Sequence, residues 1–225
     1  MNQEDKAFKK EHEDLAGTIL RPLAKPLVKI LLKTSITPNQ ISMLSIVPVI
    51  ISLFFLIKGG YKGTIIGSIL ALIYLLLDAI DGQLAREKNL KSKLGQWLDG
   101  IIGYVSIPFM ILAASIGLKE NSLLIVGSIA ALCFPIQFTI IYFFNSEIKN
   151  SNQRVELPLP TKWNNIRYIY GQALFIPILL VSAIINKTNW TIWFYATFGH
   201  LFWMMILFIQ YKDLKKKSQN SSSQI

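Results

Sequence analysis

Three aspartates stand out because they lie in long apolar stretches of the sequence, where charged side chains are rare. The chain carries thirteen acidic residues, and the other ten precede residue 15 or fall in polar links and tails. Asp78 and Asp81 lie near the end of one apolar stretch, and Asp99 lies near the start of the next. An aspartate at the centre of a membrane span costs on the order of 3 kcal/mol, so aspartates in such stretches indicate a functional site.

The spacing of these aspartates places them beside small residues and one arginine. If the helix continues past Asp81, one of its faces carries Asp78, Asp81, Gly82, Ala85 and Arg86. By the same spacing, one face of the next helix carries Gly95, Asp99 and Gly103. Clustered carboxylates bind hard divalent cations such as Mg²⁺, Mn²⁺ or Ca²⁺, and an arginine fork suits phosphate. The whole pattern favours a metal–phosphate site, although the small residues alone are typical of packed membrane helices.

The elements that carry these residues are predicted to be membrane spans. The chain has 225 residues, of which 52% are hydrophobic and only 16% are charged, whereas soluble domains carry about a quarter charged residues. We predict an all-α membrane protein with about six transmembrane helices, forming one membrane domain over residues 1–211. The predicted spans lie near residues 40–57, 64–81, 96–117, 122–145, 169–186 and 190–211.

Basic residues are distributed unequally between the two sides of these spans. Nineteen of the 23 lysines and arginines precede the first span or lie in the links at 82–95 and 146–168 or in the tail. The positive-inside rule then places both termini and the three aspartates on the cytoplasmic side of a multi-pass cell-membrane protein. The net charge of +10 is explained by this rule and by contact with anionic membrane lipids, so nucleic acid is not expected as a partner.

The two ends of the chain have distinct patterns. Residues 15–34 combine apolar residues at helical spacing with basic residues between them, which predicts an N-terminal interfacial amphipathic helix, with a plain topology anchor as the alternative. Proline then breaks this helix, and Thr37 or Asn39 could cap the helix that follows. Residues 212–225 are rich in lysine and then in serine, asparagine and glutamine, which predicts a disordered cytoplasmic tail.

The run from Asp78 to Asp99 resembles the signature of the CDP-alcohol phosphotransferases. The family pattern is D-x2-D-G-x2-A-R-x8-G-x3-D-x3-D, and seven of its eight fixed positions match here at the right spacing. The resemblance extends to six spans, an interfacial helix, cytoplasmic termini and a Thr-Pro-Asn before the first span. It implies that Mg²⁺ or Mn²⁺ is held by Asp78, Asp81 and Asp99. It also implies that a CDP-linked donor is bound by Asn39, Gly82, Ala85, Arg86 and Gly95.

The sequence departs from the family pattern at its last position, where Gly103 replaces an aspartate. In the family this aspartate is assigned as the general base that deprotonates the acceptor hydroxyl, which glycine cannot do. Three explanations are open: a divergent branch with a base from elsewhere, a non-catalytic relative that still binds nucleotide or lipid, or an altered form of an active enzyme. The candidate substitutes for the base are Tyr104, His200, Asp99 and a metal-bound hydroxide.

The resemblance implies an enzyme of phospholipid biosynthesis. Such a transferase moves a phosphatidyl group from a CDP-linked lipid to an acceptor alcohol and releases CMP. The sequence does not identify the acceptor, but basic residues that could bind a phosphorylated one lie in the link at 146–168: Lys149, Arg154, Lys162 and Arg167. The alternatives are a catalytically impaired relative that binds nucleotide or lipid, and a cation transporter, against which the clustering of the acids on two helices argues. The resemblance and the small residues also indicate a homodimer.

Overall fold

The computed structural model describes residues 15–144, 146 and 172–222, and these residues form helices and turns with no strand among them. In chain order the helices are α1 (Leu15–Leu31), α2 (Pro38–Lys58), α3 (Gly60–Glu87), α4 (Lys93–Gly117), α5 (Asn121–Phe143), α6 (Gln172–Ile184) and α7 (Thr188–Ser222). Five of them, α2 to α5 and α7, are long and apolar enough to cross a membrane, with candidate spans of 21 to 28 residues each. At 1.5 Å per residue these segments measure about 32 to 42 Å, enough to cross a hydrocarbon core of about 30 Å. The chain is therefore an all-helical, multi-pass membrane protein, as its composition predicted.

The predicted amphipathic segment forms α1, which has two apolar faces. Ala24 and Val28 are buried and share a small core with Ile80 of α3. On the other face, Leu23 is 60% exposed and Ile30 is 62% exposed. One face therefore fixes α1 against the bundle, while the other is exposed and apolar, and the interfacial location of α1 stays a prediction.

The break between α1 and α2 occurs where the sequence predicted it. The hydroxyl of Thr37 accepts a hydrogen bond from the backbone N–H of Gln40 at 3.4 Å, and the Gln40 side chain accepts one from the Thr37 N–H at 2.8 Å. This reciprocal pair is a capping box, and Pro38 occupies the first helical position, where a missing N–H is harmless. Thr37 is thus the cap, and the side chain of Asn39 is left for other contacts.

The bundle is tightly closed at the end opposite the Thr37 cap. α2 packs against both α3 and α4, and α5 packs against α7. Gly59 and Gly60 turn the chain from α2 into α3 with φ angles of +67° and +70°, which favour glycine. A Cβ atom on Gly117 of α4 would collide with the backbone carbonyl of Leu56 in α2. This close contact fixes α2 against α4 at this end of the bundle.

The second half of the chain differs from the predicted boundaries in two places. The predicted span at 169–186 corresponds to α6, whose 13 described residues measure about 20 Å. The link at 147–171, with the four basic residues suggested for acceptor binding, lies outside the described residues. The tail, predicted to be disordered, is instead helical as far as Ser222. Extending an existing helix carries no nucleation cost, and lysine and glutamine are good helix formers, so α7 continues through its polar end.

Candidate active site

A pocket of about 710 Å³ lies at the end of the bundle where α2 begins and α3 ends. This volume falls within the range of about 300–1,000 Å³ that is usual for small-molecule sites. The pocket is lined by Arg21, Pro38, Asn39, Ser42, Asp81, Gly82, Ala85, Arg86, Leu90, Lys91, Ser92, Gly95, Gln96 and Asp99. Seven of the eight residues predicted for metal or donor binding are in this lining, and Asp78 is not. Six of these seven residues were predicted from helical spacing and Asn39 from the family resemblance, and all seven face one cavity.

Asp81 is the deeply buried carboxylate of the pocket. It is only 6% exposed, and one of its oxygens accepts a hydrogen bond of 2.6 Å from the hydroxyl of Ser42 in α2. Asp99 and Arg86 are both close enough to interact with it electrostatically. The Ser42 hydrogen bond fixes the orientation of the carboxylate, and it joins α2 to α3 at the inner wall of the pocket.

The three aspartates share one region without forming a ready-made ligand set. All three interact electrostatically with Tyr74, a fully buried residue of α3 that hydrogen-bonds the side chain of Ser106 in α4. Within residues 15–144, 146 and 172–222, no group of three or more His, Cys, Asp or Glu side chains is arranged to hold a metal ion. A shared cation at Asp78, Asp81 and Asp99 therefore stays a prediction.

The chemistry of the pocket nevertheless fits a divalent cation. Buried Asp81 and exposed Asp99 face one cavity from two helices and repel each other. A cation between them would neutralise both charges, and carboxylate oxygens are the ligands that Mg²⁺ and Mn²⁺ prefer. The Asn39 side chain adds a further oxygen to the lining.

The guanidinium of Arg86 lies beside Gly82. A Cβ atom at Gly82 would lie 3.6 Å and 3.9 Å from the two terminal nitrogens of Arg86. The arginine therefore folds back along α3 by one turn, in the direction that helical side chains prefer. Its guanidinium reaches the level of Asp81, where a planar fork can bind phosphate beside the carboxylates.

Gly95 makes room for an asparagine from another helix. A Cβ atom at Gly95 would lie 2.7 Å from the side-chain oxygen of Asn39 and 3.2 Å from the hydroxyl of Ser92. Ser92 is the N-cap of α4 and accepts a hydrogen bond from the Gly95 N–H at 3.0 Å. Only glycine at this position allows Asn39 to lie against the first turn of α4 and still face the pocket.

Sequence reasoning missed five polar residues of the lining, namely Arg21, Ser42, Lys91, Ser92 and Gln96. Ser42 follows Asn39 by three residues and therefore shares its face of α2, a signal that was available in the sequence. Arg21 and Lys91 belong to segments whose basic residues are explained equally well by membrane topology. Together with Arg86, they bring positive charge to the pocket from three separate segments of the chain.

The position at which the family pattern has its general base carries no acidic side chain in this protein. Gly103 is a buried residue of α4 and does not line the pocket. Tyr104, the first candidate substitute, is 48% exposed and its ring packs 3.8 Å from that of Phe138, measured between centroids. Tyr104 is also absent from the pocket lining.

His200, the second candidate, serves as a link between helices. Its Nε2 lies 2.9 Å from the backbone carbonyl of Ile129 in α5, and its Nδ1 accepts a hydrogen bond of 2.9 Å from Trp203. Both ring nitrogens are thus engaged away from the pocket, which His200 does not line. Of the three residues suggested as substitute bases, Asp99 is the one in the pocket.

Comparison with known proteins identifies the family. An uncharacterized protein of Aquifex aeolicus (strain VF5) is 36% identical over 89 residues, which are 39% of this chain and 44% of the relative's own length. The crystal structure of Mycobacterium tuberculosis phosphatidylinositol phosphate synthase with CDP-DAG bound has the same fold, with a TM-score of 0.62 at 17% identity over 86% of this chain and 94% of that one. The family model for CDP-alcohol phosphatidyltransferase matches residues 35–203. Because that match runs from the cap of α2 into α7 and includes the whole run from Asp78 to Asp99, the chain belongs to the CDP-alcohol phosphatidyltransferase family.

Proposed function

We propose that this protein transfers a phosphatidyl group from a CDP-linked lipid to the hydroxyl of an acceptor alcohol and releases CMP. The observation that carries the proposal is the single pocket that collects Asp81, Asp99 and Arg86 with the small residues beside them. Family membership supports the reaction class, and the similar crystal structure contains a CDP-linked lipid. A pocket at the end of membrane-spanning helices suits such a donor, because the headgroup can enter it while the acyl chains stay among lipid.

The positive side chains of the pocket would bind the diphosphate of the donor. Arg86 lies at the level of the carboxylates and offers two parallel N–H groups to phosphate oxygens. Arg21 and Lys91 face the same cavity from α1 and from the α3–α4 link. Asn39 and Gln96 supply amide groups that can hydrogen-bond the polar edge of the cytosine ring.

The carboxylates would hold the divalent metal that enzymes of this family generally use. Asp78, Asp81 and Asp99 are the proposed ligands for Mg²⁺ or Mn²⁺, and Ser42 holds the Asp81 carboxylate in place through its hydrogen bond. When bound, the cation would neutralise negative charge on the diphosphate and on the departing CMP.

The remaining step is the removal of the acceptor proton. The acceptor oxygen forms a bond to the phosphorus that carries the lipid, and the bond from that phosphorus to the CMP oxygen breaks, its electron pair leaving with CMP. The hydroxyl proton must pass to a base, and Asp99 is the substitute base that lines the pocket. Asp99 would then serve both as a metal ligand and as the proton acceptor, so we expect slow transfer.

A second function is favoured by one observation, the buried Gly103 in place of the expected aspartate. A protein without an effective base would bind the CDP-linked donor and keep it, acting as a nucleotide- or lipid-binding membrane protein. Release of CMP from CDP-diacylglycerol, measured with purified protein, Mg²⁺ or Mn²⁺ and a panel of alcohols and phosphorylated alcohols, separates the two functions. CMP release with at least one acceptor supports the transferase, binding without release supports the binding protein, and neither binding nor release contradicts both.

Replacing Gly95 by alanine should weaken binding of the donor by about tenfold. The added methyl group would push the Asn39 side chain out of its place against α4, and a lost hydrogen bond of this kind costs about 1–1.5 kcal/mol. Gly100→Ala is the matched control, because a Cβ atom there meets only a ring carbon of Tyr104 at 3.6 Å, an ordinary contact. Equal dissociation constants of the two variants for CDP with Mn²⁺ would show that Asn39 does not bind the donor.

We also propose that the pocket faces the cytoplasm, as the distribution of basic residues predicts. Lys62, near the start of α3, and Lys93, at the start of α4 beside the pocket, are both exposed. Single cysteines at these positions, in a Cys133→Ala background, should react differently with a membrane-impermeant maleimide added to intact cells. We expect labelling at 62 and none at 93 until the cells are permeabilised, and labelling at 93 in intact cells would contradict the orientation.

A further inference from the structure

The side chain of Lys88 joins two chain segments that lead into different walls of the pocket. Lys88 directly follows the last residue of α3, and its ammonium group donates hydrogen bonds to the backbone carbonyls of Thr34 at 2.7 Å and Ile36 at 2.8 Å. These carbonyls belong to the link between α1 and α2, more than fifty residues away in sequence. Lys88 does not line the pocket itself.

The segment that carries Lys88 is held in a defined conformation. The backbone N–H of Lys88 bonds to the carbonyl of Leu84 at 2.9 Å, and that of Leu90 bonds to the carbonyl of Ala85 at 3.0 Å. Asn89, between them, has a φ of 55°, the left-handed conformation that closes many helices. The chain thus turns sharply after α3, and the residues that follow Lys88 enter the pocket lining.

The segment that receives the hydrogen bonds is ordered as well. The hydroxyl of Thr34 donates to the carbonyl of Leu31 at 2.8 Å and accepts from the N–H of Ile36 at 3.3 Å. The carbonyls here lie just past the C-terminus of α1, where the helix dipole favours a positive charge. A lysine suits this place because its ammonium group can donate to two carbonyl oxygens at once.

We propose that Lys88 is a positioning residue that fixes the distance between two walls of the donor site. The first wall contains Pro38 and Asn39, which follow closely after Ile36. The second wall contains Leu90 and Lys91, which follow closely after Lys88. Bridging the two links therefore sets how closely Asn39 approaches the basic groups on the opposite wall. The inference rests on the proposed function, because the effect is expected on binding of the CDP-linked donor.

The bridge is not needed to hold the bundle together. α1 is fixed against α3 by the buried core of Ala24, Val28, Ile80 and Leu84, and the capping box fixes the start of α2. Removing the ammonium group should therefore leave the fold intact and loosen only the relative placement of the two links. This separation allows a positioning role to be distinguished from a structural one.

The test is Lys88→Met, which keeps the length of the side chain and removes its donors. We expect the KM for the CDP-linked donor to rise about three- to tenfold, the effect of a net loss of about 0.6–1.4 kcal/mol. The kcat and the melting temperature should stay close to those of the wild type. Lys88→Arg, which can donate to both carbonyls, should restore the KM.

Lys33→Met is the matched control, because it removes a positive charge from the same exposed region outside the pocket lining. Unchanged KM in Lys88→Met, an equal rise in Lys33→Met, or failure of arginine to rescue would overturn the positioning role. A drop in melting temperature that accompanies the KM change would assign Lys88 to stability instead. If the wild type itself neither binds CDP with metal nor releases CMP, the proposed function fails and the inference about Lys88 fails with it.

Discussion

Replacing Asp81 by asparagine should lower the rate of transfer at least about a hundredfold while leaving the fold intact. Asp81 is the buried carboxylate of the pocket, and its charge is the feature that would attract a cation. Asparagine has nearly the same shape, and its amide oxygen can still accept the hydrogen bond from Ser42. The loss of rate should therefore come from the missing charge, because the shape of the side chain and its hydrogen bond to Ser42 are kept.

Stability gives an independent measure of the same substitution. Asp81→Asn removes a buried charge that repels Asp99, so without metal the melting temperature of the variant should equal or exceed that of the wild type. When Mg²⁺ or Mn²⁺ is added, the melting temperature of the wild type should rise more than that of the variant. Glu87→Gln is the control, because it removes a carboxylate from the exposed end of the same helix, outside the pocket. A variant at Asp81 that transfers within tenfold of the wild type would exclude this residue from the metal and donor site.

Replacing Gly103 by aspartate should raise the rate of transfer by at least about tenfold. A positioned general base contributes about 10²–10⁴-fold to a rate, and Asp99 can supply only part of this while it also serves as a metal ligand. The new carboxylate would lie one turn along α4 from Asp99, on the same face. The donor affinity should change only a few-fold, because the nucleotide contacts are unaffected.

The control for this experiment is Gly103→Ala, which changes helix propensity without adding a base. Since position 103 is buried, the melting temperature of both variants must be measured beside their rates. A fast wild-type enzyme that Gly103→Asp slows would show that a substitute base already works fully, and would support the divergent branch. Equal gains in the alanine and aspartate variants would assign the effect to packing.

The part of the site that the sequence predicted depends on local spacing. Asp78, Asp81 and Arg86 fall on one face of α3 because the helix continues to Glu87, as their spacing required. Asp99 comes near them because α3 and α4 are consecutive spans joined by a short link. Helical periodicity and chain direction were enough to predict that Asp81, Arg86 and Asp99 lie close together, and these three line one pocket, whereas Asp78 does not line it.

The parts that were missed depend on contacts between distant segments. Arg21 reaches the pocket from α1, more than fifty residues before the aspartates, and nothing in its local sequence separates it from topological charge. Gly82 and Gly95 were interpreted as space for the nucleotide, but each also lies against a specific side chain, Arg86 or Asn39. Such contacts follow from the packing of α2 against α3 and α4, which periodicity does not describe.

The end of α7 shows the same limit in a different way. The polar composition of residues 212–225 predicted disorder, but the chain from residue 200 onward contains no glycine or proline to end a helix. A helix that is already formed within the membrane can continue into such a segment, one hydrogen bond per residue. The composition of residues 212–225 alone does not reveal that the preceding helix can continue through them.

The measurement that tests the donor site most directly is the thermal unfolding of the purified wild-type protein in mild detergent with CDP and Mn²⁺. We expect a clear rise in melting temperature when both are present. At a ligand concentration a hundred times the dissociation constant, binding stabilises the folded protein by about 2.7 kcal/mol. Either one alone should have a smaller effect, ADP should not replace CDP, and Asp81→Asn should abolish the rise. No shift with CDP and Mn²⁺ at millimolar concentration, or the same shift in Asp81→Asn, would contradict a metal-dependent CDP site in this pocket.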